Sequence, residues 1–149
     1  MGEKNPFEPR RRARRRALQA IYQWQLTGQD AFEILQQFRA AQDMSGVDEE
    51  HFEKLLRGVS SSKQSLDTEL QPFLDRPFDQ LDQMERVVLR IGAFELLHCP
   101  ELPFRVTVDE CVDLAHRFGS EQGHAYVNAV LDKAARQWRS QEISGRTAS

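Results

Sequence analysis

The sequence predicts an all-α protein with about six to seven helices. Apolar residues recur at spacings of three and four along nearly the whole chain, which is the pattern of a helix that buries one face. Strictly alternating apolar and polar residues, which indicate strands, are almost absent. The connections between the apolar segments are short. These observations predict two helical bundles that share one interior, divided near Pro72–Pro77.

Three helices are predicted before that division. Pro9 suits the first turn of a helix that ends near Gly28, because proline there lacks only an N–H that has no helical partner. A second helix covers about residues 30–42. A third begins near Asp48 and continues to about residue 73, because its apolar stripe keeps its phase through the Ser60–Ser62 run. The apolar faces contain Ala13, Ala17, Ala20, Ile21 and Trp24, then Phe32, Leu35 and Phe38, then Phe52, Leu55, Leu56, Val59, Leu66, Leu70 and Phe73.

Three more helices are predicted after the division. The segment from Gln80 to His98 is apolar around most of its circumference, which indicates a central helix. Thr107 and Glu110 have the spacing of a capping box, and this predicts the start of the next helix. The last helix covers about residues 121–138.

These elements give a predicted domain organisation. An N-terminal arm covers residues 1–9, and a single helical domain covers residues 10–139. Within it, one bundle spans about 10–73 and the other about 78–139. Residues 140–149 are polar and are expected to form a disordered tail.

Composition excludes several classes of protein. The chain has 149 residues, of which 40% are hydrophobic and 29% charged, and it has no apolar run near the ~20 residues that span a bilayer. No apolar segment follows the basic N-terminus, as a secretory signal requires. Glu3 and Glu8 also make this segment unlike a mitochondrial transit peptide. We therefore expect a cytoplasmic protein without a membrane partner.

No metal, cofactor or catalytic site is predicted. Cys99 and Cys111 do not form a CxxC pair, which favours reduced thiols. Together with His98 and His116 they supply zinc-compatible ligands, but adjacent His and Cys residues make poor chelate geometry. Glycine-rich phosphate loops and the common hydrolase and metalloprotease motifs are also missing. These absences predict a protein that is not an enzyme.

The strongest functional signal is a group of arginines near the N-terminus. Residues 1–20 carry a net charge of +5, although the formal charge of the whole chain is −3. Basic charge gathered at one end of an acidic chain predicts a polyanionic partner, with nucleic acid as the first candidate. The cluster consists of Arg10, Arg11, Arg12, Arg14, Arg15 and Arg16.

Helical spacing divides this cluster. Six arginines in seven positions cannot share one helical face, so we expect Arg10–Arg12 in a mobile arm and Arg14–Arg16 on a helix. Arg11, Arg15 and Tyr22 fall on one stripe with Leu18. Guanidinium groups bind phosphate, and a tyrosine ring stacks on an unpaired base, so this stripe favours single-stranded nucleic acid. Burial of Tyr22 in the core remains an alternative.

A second candidate lies at the start of the last helix. Tyr126 and Asn128 flank the predicted buried stripe that contains Val127. A tyrosine ring stacks on bases, and an asparagine amide hydrogen-bonds to a base edge. Packing of Tyr126 on a neighbouring helix explains the pattern equally well, and both alternatives stay open.

Several segments resemble the NusB family of transcription antitermination factors. The first is Arg10-Arg11-Arg12-Ala13-Arg14 with Ala20-Ile21-Tyr22-Gln23-Trp24-Gln25-Leu26, and the second runs from Glu85 to Leu96. The most specific is Val106-Thr107-Val108-Asp109-Glu110-Cys111-Val112-Asp113-Leu114-Ala115, which is similar to the family pattern V-x-I-N-E-A-V-x-L-A. Phe118-Gly119, Tyr126-Val127-Asn128 and Val130-Leu131-Asp132-Lys133 follow in the family's order. The resemblance covers roughly residues 10–136.

The resemblance implies a fold, a ligand and partners. The fold is two packed three-helix bundles. The ligand is boxA, a short single-stranded RNA element, and the protein partner is NusE, a small-subunit ribosomal protein. The pair joins a complex on RNA polymerase that reads through terminators, notably in ribosomal RNA operons. A homodimer that masks the basic face belongs to a separate alternative, a purely structural helical interaction module.

The resemblance also implies roles for individual residues. The residues implied to bind phosphate are Arg10, Arg11, Arg12 and Arg14, and Arg15 extends the basic run. Base or sugar contacts fall to Tyr22, Tyr126 and Asn128. A NusE-facing surface falls at Phe73 and Glu85.

The sequence departs from the family pattern at two positions near the proposed RNA contacts. Position 126 is Tyr where Phe is common, which keeps the ring and adds a hydroxyl, and Ala129 replaces the usual Gly. Two other classes of function are alternatives. NusB-like domains precede the catalytic domain of ribosomal RNA cytosine methyltransferases, and we expect no such domain in a chain that ends at Ser149. A helical protein-interaction module without an antitermination role is the remaining alternative.

Overall fold

The computed structural model describes residues 6–147, and every regular element among them is helical. This confirms the predicted all-α class. No helix in this range is long and apolar enough to cross a membrane. The α-helices are α1 Glu8–Thr27, α2 Ala31–Ala41, α3 Glu49–Leu70, α4 Gln83–His98, α5 Phe104–Phe118, α6 Gly123–Trp138 and α7 Ser140–Thr147, with 3-10 turns at Gln71–Phe73 and Phe78–Gln80.

The described residues form two compact units. The N-terminal unit ends at Ser62 and the C-terminal unit begins at Lys63. The division therefore lies inside α3, about ten residues before the predicted one near Pro72–Pro77. The helix itself continues through the serine run, as its apolar phase predicts.

Helix α1 begins earlier than the arginine pattern predicts. Pro9 lies in its first turn, and the helix ends at Gly28, whose φ of 68° is left-handed and whose N–H bonds to the Trp24 carbonyl. Arg10–Arg12 are therefore helical, and the expectation of a mobile arm at these residues is wrong. Of the predicted arm over residues 1–9, the first five residues lie outside the described range, and Glu8 and Pro9 belong to the helix.

Helices α1 and α2 pack on each other in the N-terminal unit. The Asp30 carboxylate caps α2 by accepting a hydrogen bond from the Glu33 N–H. Phe38 of α2 stacks on Phe52 of α3, with ring centroids 5.8 Å apart. Phe32, predicted to be buried, is instead 52% exposed, and Ile34 takes the core position beside Leu35.

The C-terminal unit is built around α4. Every residue of this helix from Val87 to Leu96 is buried, in agreement with its all-round apolar pattern. Helices α4, α5 and α6 pack on one another. A Cβ added at Gly92 would lie 2.7 Å from a Leu131 methyl group, so glycine permits the close contact between α4 and α6.

The predicted capping box at Thr107 is wrong. Helix α5 begins at Phe104, three residues before Thr107, and Pro103 occupies the capping position. Thr107 is buried within the helix, where its hydroxyl donates to the Glu95 carboxylate at 2.8 Å. The threonine therefore pairs with a buried acid of α4 and does not cap a helix.

The predicted disordered tail is also corrected over most of its length. Ser140–Thr147 form α7, and the last two residues lie outside the described range. The side chain of Arg139 is buried and joins this segment to the end of α4. It donates to the carbonyls of Leu96, Leu102 and Cys99 and to the Glu142 carboxylate.

Candidate nucleic-acid interface

The N-terminal unit presents a partly exposed basic surface along α1. Arg10 pairs with Asp48 at 3.8 Å, while Arg11 and Arg12 lie 3.9 and 3.3 Å from the Glu8 carboxylate. Their side chains remain 41–48% exposed. Surface ion pairs of this kind contribute little and exchange readily, so the guanidinium groups stay available to a stronger anion.

One predicted phosphate contact does not lie on this surface. Arg14 is 2% exposed and is buried with the small residues of α1. A phosphate cannot reach a buried guanidinium without local opening of the helix packing. Arg16, which was not assigned a contact, is partly exposed instead.

The predicted stripe of Arg11, Arg15 and Tyr22 is partly accessible. All three side chains have intermediate exposure, whereas Leu18 between them is buried. The Arg15 Nε is shielded from solvent and has no hydrogen-bond acceptor among the described residues. The stripe thus places two guanidinium groups and one ring on the same side of α1, around a buried leucine.

The loop between α2 and α3 contacts the same basic surface. Arg12 Nη1 donates to the Ser45 carbonyl at 3.3 Å, and Arg16 donates through Nε and Nη2 to the Asp43 carbonyl at 3.3 and 3.1 Å. The side-chain hydrogen bond of Ser45, followed by its backbone N–H, lowers the pKa of the Asp43 carboxyl below its ordinary value. Asp43 is therefore ionised at neutral pH.

The C-terminal unit has a different arrangement around Tyr126. The Tyr126 hydroxyl donates to Asp75 Oδ1 at 3.0 Å and accepts from the Asp75 N–H at 3.3 Å. The Arg76 guanidinium lies over the Tyr126 ring, 5.0 Å from its centroid, and also pairs with Asp75 at 2.7 Å. The ring is half-buried, and one of its faces meets a cation.

Protonation states follow from these contacts. Hydrogen bonding by Arg76, and then by Tyr126, lowers the pKa of Asp75 to about 2. Burial raises the pKa of the Tyr126 phenol above its ordinary value, so the hydroxyl remains a donor at neutral pH. Asp75 is therefore an anionic acceptor for a neutral phenol.

The sequence does not indicate a role for Asp75 and Arg76. They lie in the short connection between the two 3-10 turns, far in sequence from Tyr126. The adjacent opposite charges were the only local signal, and such pairs are common on surfaces. Only the fold brings them to the tyrosine.

Asn128 lies on α6 two residues after Tyr126 and is exposed. Residues two apart on a helix point to different sides. Tyr126 and Asn128 therefore border the buried Val127 on opposite flanks, and the structure does not bring their side chains to one point.

The two residues expected to face a protein partner have partly exposed side chains in the C-terminal unit. Phe73 packs edge-on against Trp138, with ring centroids 5.5 Å apart. Glu85 lies beside Gly123, where an added Cβ would be 3.2 Å from its Oε1. Burial, followed by the nearby charge of Asp82, raises the pKa of the Glu85 carboxyl.

Nothing in the described part of the chain forms a metal cluster. Cys99 and Cys111 are buried, and no group of three histidine, cysteine or acidic side chains in the described range could hold a metal ion.

The amino-acid sequence of this chain matches a known protein family. Residues 11–136 match the NusB family along one continuous stretch. The chain belongs to the NusB family. That family consists of RNA-binding transcription factors that are not enzymes. The matched stretch includes Arg11, Arg15, Tyr22, Tyr126 and Asn128.

Relatives and solved structures agree with the family match. The transcription antitermination protein NusB of Legionella pneumophila (strain Corby) is 49% identical over 142 residues, which cover 95% of this chain and 97% of the relative. That of Nitrosococcus oceani is 51% identical over 137 residues, or 92% of each chain.

Two solved structures share the fold. T. maritima NusB superposes with a TM-score of 0.74 at 28% identity, covering 90% of this chain and 93% of its own. A crystal structure of antitermination factors NusB and NusE in complex with double-stranded RNA matches with a TM-score of 0.78 at 24% identity. It covers 85% of this chain and 96% of the matched chain. The NusB fold is thus shared over most of the length of each protein.

Proposed function

We propose that this protein is a transcription antitermination factor that binds single-stranded boxA RNA together with NusE. In this function it promotes processive transcription of ribosomal RNA operons as part of a cytoplasmic complex on RNA polymerase. The observation that carries the proposal is the partly exposed row of arginines on α1, in a chain of the NusB family. The relatives' name, transcription antitermination protein, supports the biological process.

The arginines supply affinity in this proposal. Arg10, Arg11, Arg12 and Arg15 have partly exposed guanidinium groups, which bind phosphate oxygens with charge-assisted hydrogen bonds. Arg14 is left out because it is buried. Phosphate contacts carry no sequence information, so preference for boxA requires other groups.

Tyr22, Tyr126 and Asn128 are the groups proposed to meet bases or sugars. A half-buried tyrosine offers part of its ring for stacking, and an exposed asparagine amide offers both a donor and an acceptor. Arg76 adds a cation beside Tyr126, with its guanidinium over the ring. The protein partner is assigned to the surface that includes Phe73 and Glu85.

A titration with and without NusE tests this proposal. We expect fluorescently labelled boxA RNA to bind weakly alone and more tightly when NusE is added, at about 100 mM salt, where electrostatic contacts remain measurable. Scrambled single-stranded RNA and a double-stranded RNA of equal length are the comparison ligands. Equal binding of boxA and scrambled RNA in the presence of NusE would overturn the proposal and favour a helical protein-interaction module.

A further inference from the structure

We propose that the loop between α2 and α3, residues 43–48, is a positioning element that holds Arg12 and Arg16 ready for RNA phosphates. The proposal rests on the proposed function, because it requires that the arginines of α1 bind RNA. It assigns to this loop a role in affinity although the loop itself need not touch the ligand. Gly46 is the residue through which the loop makes room for Arg12.

The loop holds its two arginines mainly through neutral oxygens. Arg16 donates to the carbonyl of Asp43 and through Nη1 to Gln19 Oε1 at 3.0 Å. Arg12 donates to the carbonyl of Ser45. A carbonyl or amide oxygen fixes the plane of a guanidinium group without cancelling its charge. Arg12 also pairs through Nε with the partly exposed Glu8 carboxylate at 3.3 Å, a surface ion pair that a phosphate can displace.

Fixing these side chains in advance reduces the cost of binding. An arginine has several rotatable bonds, and a free side chain loses that freedom when it grips a phosphate. Where the side chain is already ordered by the protein, the loss has occurred before the ligand arrives, and affinity rises by the same amount. The remaining N–H groups of the fork are left to meet a phosphate oxygen.

Two features of Gly46 allow the loop to contact Arg12. Its φ of +71° lies in the left-handed region, which favours glycine. A Cβ at this position would also lie 2.4 Å from Arg12 Nη1, closer than any real contact of this kind. Because the end of an arginine side chain is flexible, we expect an added methyl group to displace Arg12 while the helices stay in place.

Asp43 holds the turn that carries both carbonyls. Its Oδ1 accepts a hydrogen bond from the Ser45 N–H at 2.9 Å, which closes a local turn. Asp43 stays ionised at neutral pH, as its lowered pKa requires. Removing this carboxylate loosens the loop without introducing a left-handed alanine, and so supplies a second, independent variant.

The chain contains a matched control for Gly46. Gly28 has nearly the same left-handed φ, +68°, but an added Cβ there meets nothing within 4 Å. Gly28→Ala therefore introduces the same backbone strain without touching an arginine. Any loss of RNA affinity that Gly46→Ala shows and Gly28→Ala does not must come from the displaced side chain.

The test is a double-mutant cycle on RNA affinity, with melting temperature measured in parallel. Gly46→Ala should weaken binding of boxA RNA by about two- to tenfold relative to Gly28→Ala, the range expected for ordering one long side chain. In an Arg12→Ala background the same glycine substitution should have no further effect. Asp43→Ala should also weaken binding of boxA RNA, and it should have no further effect when both Arg12→Ala and Arg16→Ala are present.

The outcomes separate this inference from the function on which it rests. If the unsubstituted protein binds no RNA, the proposed function fails. If the protein binds RNA but Gly46→Ala weakens binding no more than Gly28→Ala does, the positioning role is overturned. It is also overturned if Gly46→Ala weakens binding equally in the presence and in the absence of the Arg12 side chain. If Gly46→Ala unfolds the protein, the Asp43→Ala cycle decides by the same criterion.

Discussion

The hydroxyl of Tyr126 is held by Asp75, which accepts its hydrogen bond at 3.0 Å across 51 positions of sequence. The same carboxylate pairs with Arg76, whose guanidinium lies over the tyrosine ring. These three side chains form one cluster in which the ring is oriented at its hydroxyl and covered on one face. A base that stacks on Tyr126 must use the open part of the ring or displace an exposed arginine, which costs little.

The Tyr126 ring and its hydroxyl are expected to differ in their contributions to RNA binding. Tyr126→Ala removes the ring and should cost about 1–3 kcal/mol of RNA binding, as loss of one base–aromatic stack does. Tyr126→Phe removes only the hydroxyl that orients the ring, and should cost about 1 kcal/mol or less. Fluorescence titration of boxA RNA measures both.

Melting temperatures test the alternative that the Tyr126 ring only stabilises the fold. If the ring only packs within the C-terminal unit, Tyr126→Ala lowers the melting temperature and leaves RNA affinity intact. That outcome would remove Tyr126 from the proposed interface.

The Asp75–Tyr126 bond should be insensitive to pH in the neutral range. The pKa of Asp75 is lowered to about 2 in the folded chain, against an ordinary value of 3.8. A lowered folded pKa gives a contribution that is complete above the unfolded pKa and is lost as the pH falls from about 4 toward 2. The difference in RNA affinity between the unsubstituted protein and Asp75→Asn should therefore be constant from pH 5 to 8. A difference that changes in this range would show that Asp75 titrates there.

The salt dependence of RNA binding should identify the arginines that touch phosphate. Arg11→Ala and Arg12→Ala should each flatten the log–log slope by about 0.7, the value for one phosphate contact on a single strand. Arg136→Ala is the matched control, because this arginine of α6 is 64% exposed and pairs with Asp132 in the same way that Arg12 pairs with Glu8. An unchanged slope for either α1 variant would exclude that arginine from the phosphate contacts.

The sequence predicts helices better than it predicts side-chain partners. The spacing of apolar residues indicated the all-α class and the central place of α4, because burial repeats with the helical period. Phe32 and Arg14 were assigned to the wrong environments, because the pattern does not show which side of an amphipathic helix meets its neighbour. Arg14 is the sharper case, since a charged residue is buried amid a row of exposed ones.

Partners distant in sequence were not predictable. Thr107 has the spacing of a capping box, yet it bonds to Glu95 on another helix. The adjacent opposite charges of Asp75 and Arg76 do not indicate a contact with Tyr126. Such pairs depend on how two helices pack, which a single sequence does not encode in any short motif.

Loss of the Arg139 side chain is expected to weaken the C-terminal unit strongly. It is 8% exposed and donates to four carbonyls, those of Glu95, Leu96, Cys99 and Leu102, as well as to Glu142. Arg139→Ala removes the donor to the Leu96 and Leu102 carbonyls in a buried region, and each buried acceptor left unpaired costs about 1–3 kcal/mol. The carbonyls of Glu95 and Cys99 keep the N–H groups of Cys99 and Leu102. We expect the free energy of unfolding to fall by about 3–5 kcal/mol, as when one partner of a buried charged network is removed. Urea denaturation followed by circular dichroism measures this loss.

Two further variants distinguish the contribution of the Arg139 hydrogen bonds to stability from that of its charge. Arg139→Lys keeps the charge but lacks the planar fork that reaches several carbonyls at once, so it should recover only part of the lost stability. Arg136→Ala, three residues earlier and exposed, should change the free energy of unfolding by no more than about 0.5 kcal/mol. Because Arg139 joins α7 to the end of α4, its removal should also expose Ser140–Thr147 to proteolysis before the rest of the unit. Equal stabilities of Arg139→Ala and Arg136→Ala would mean that the buried carbonyls find other donors.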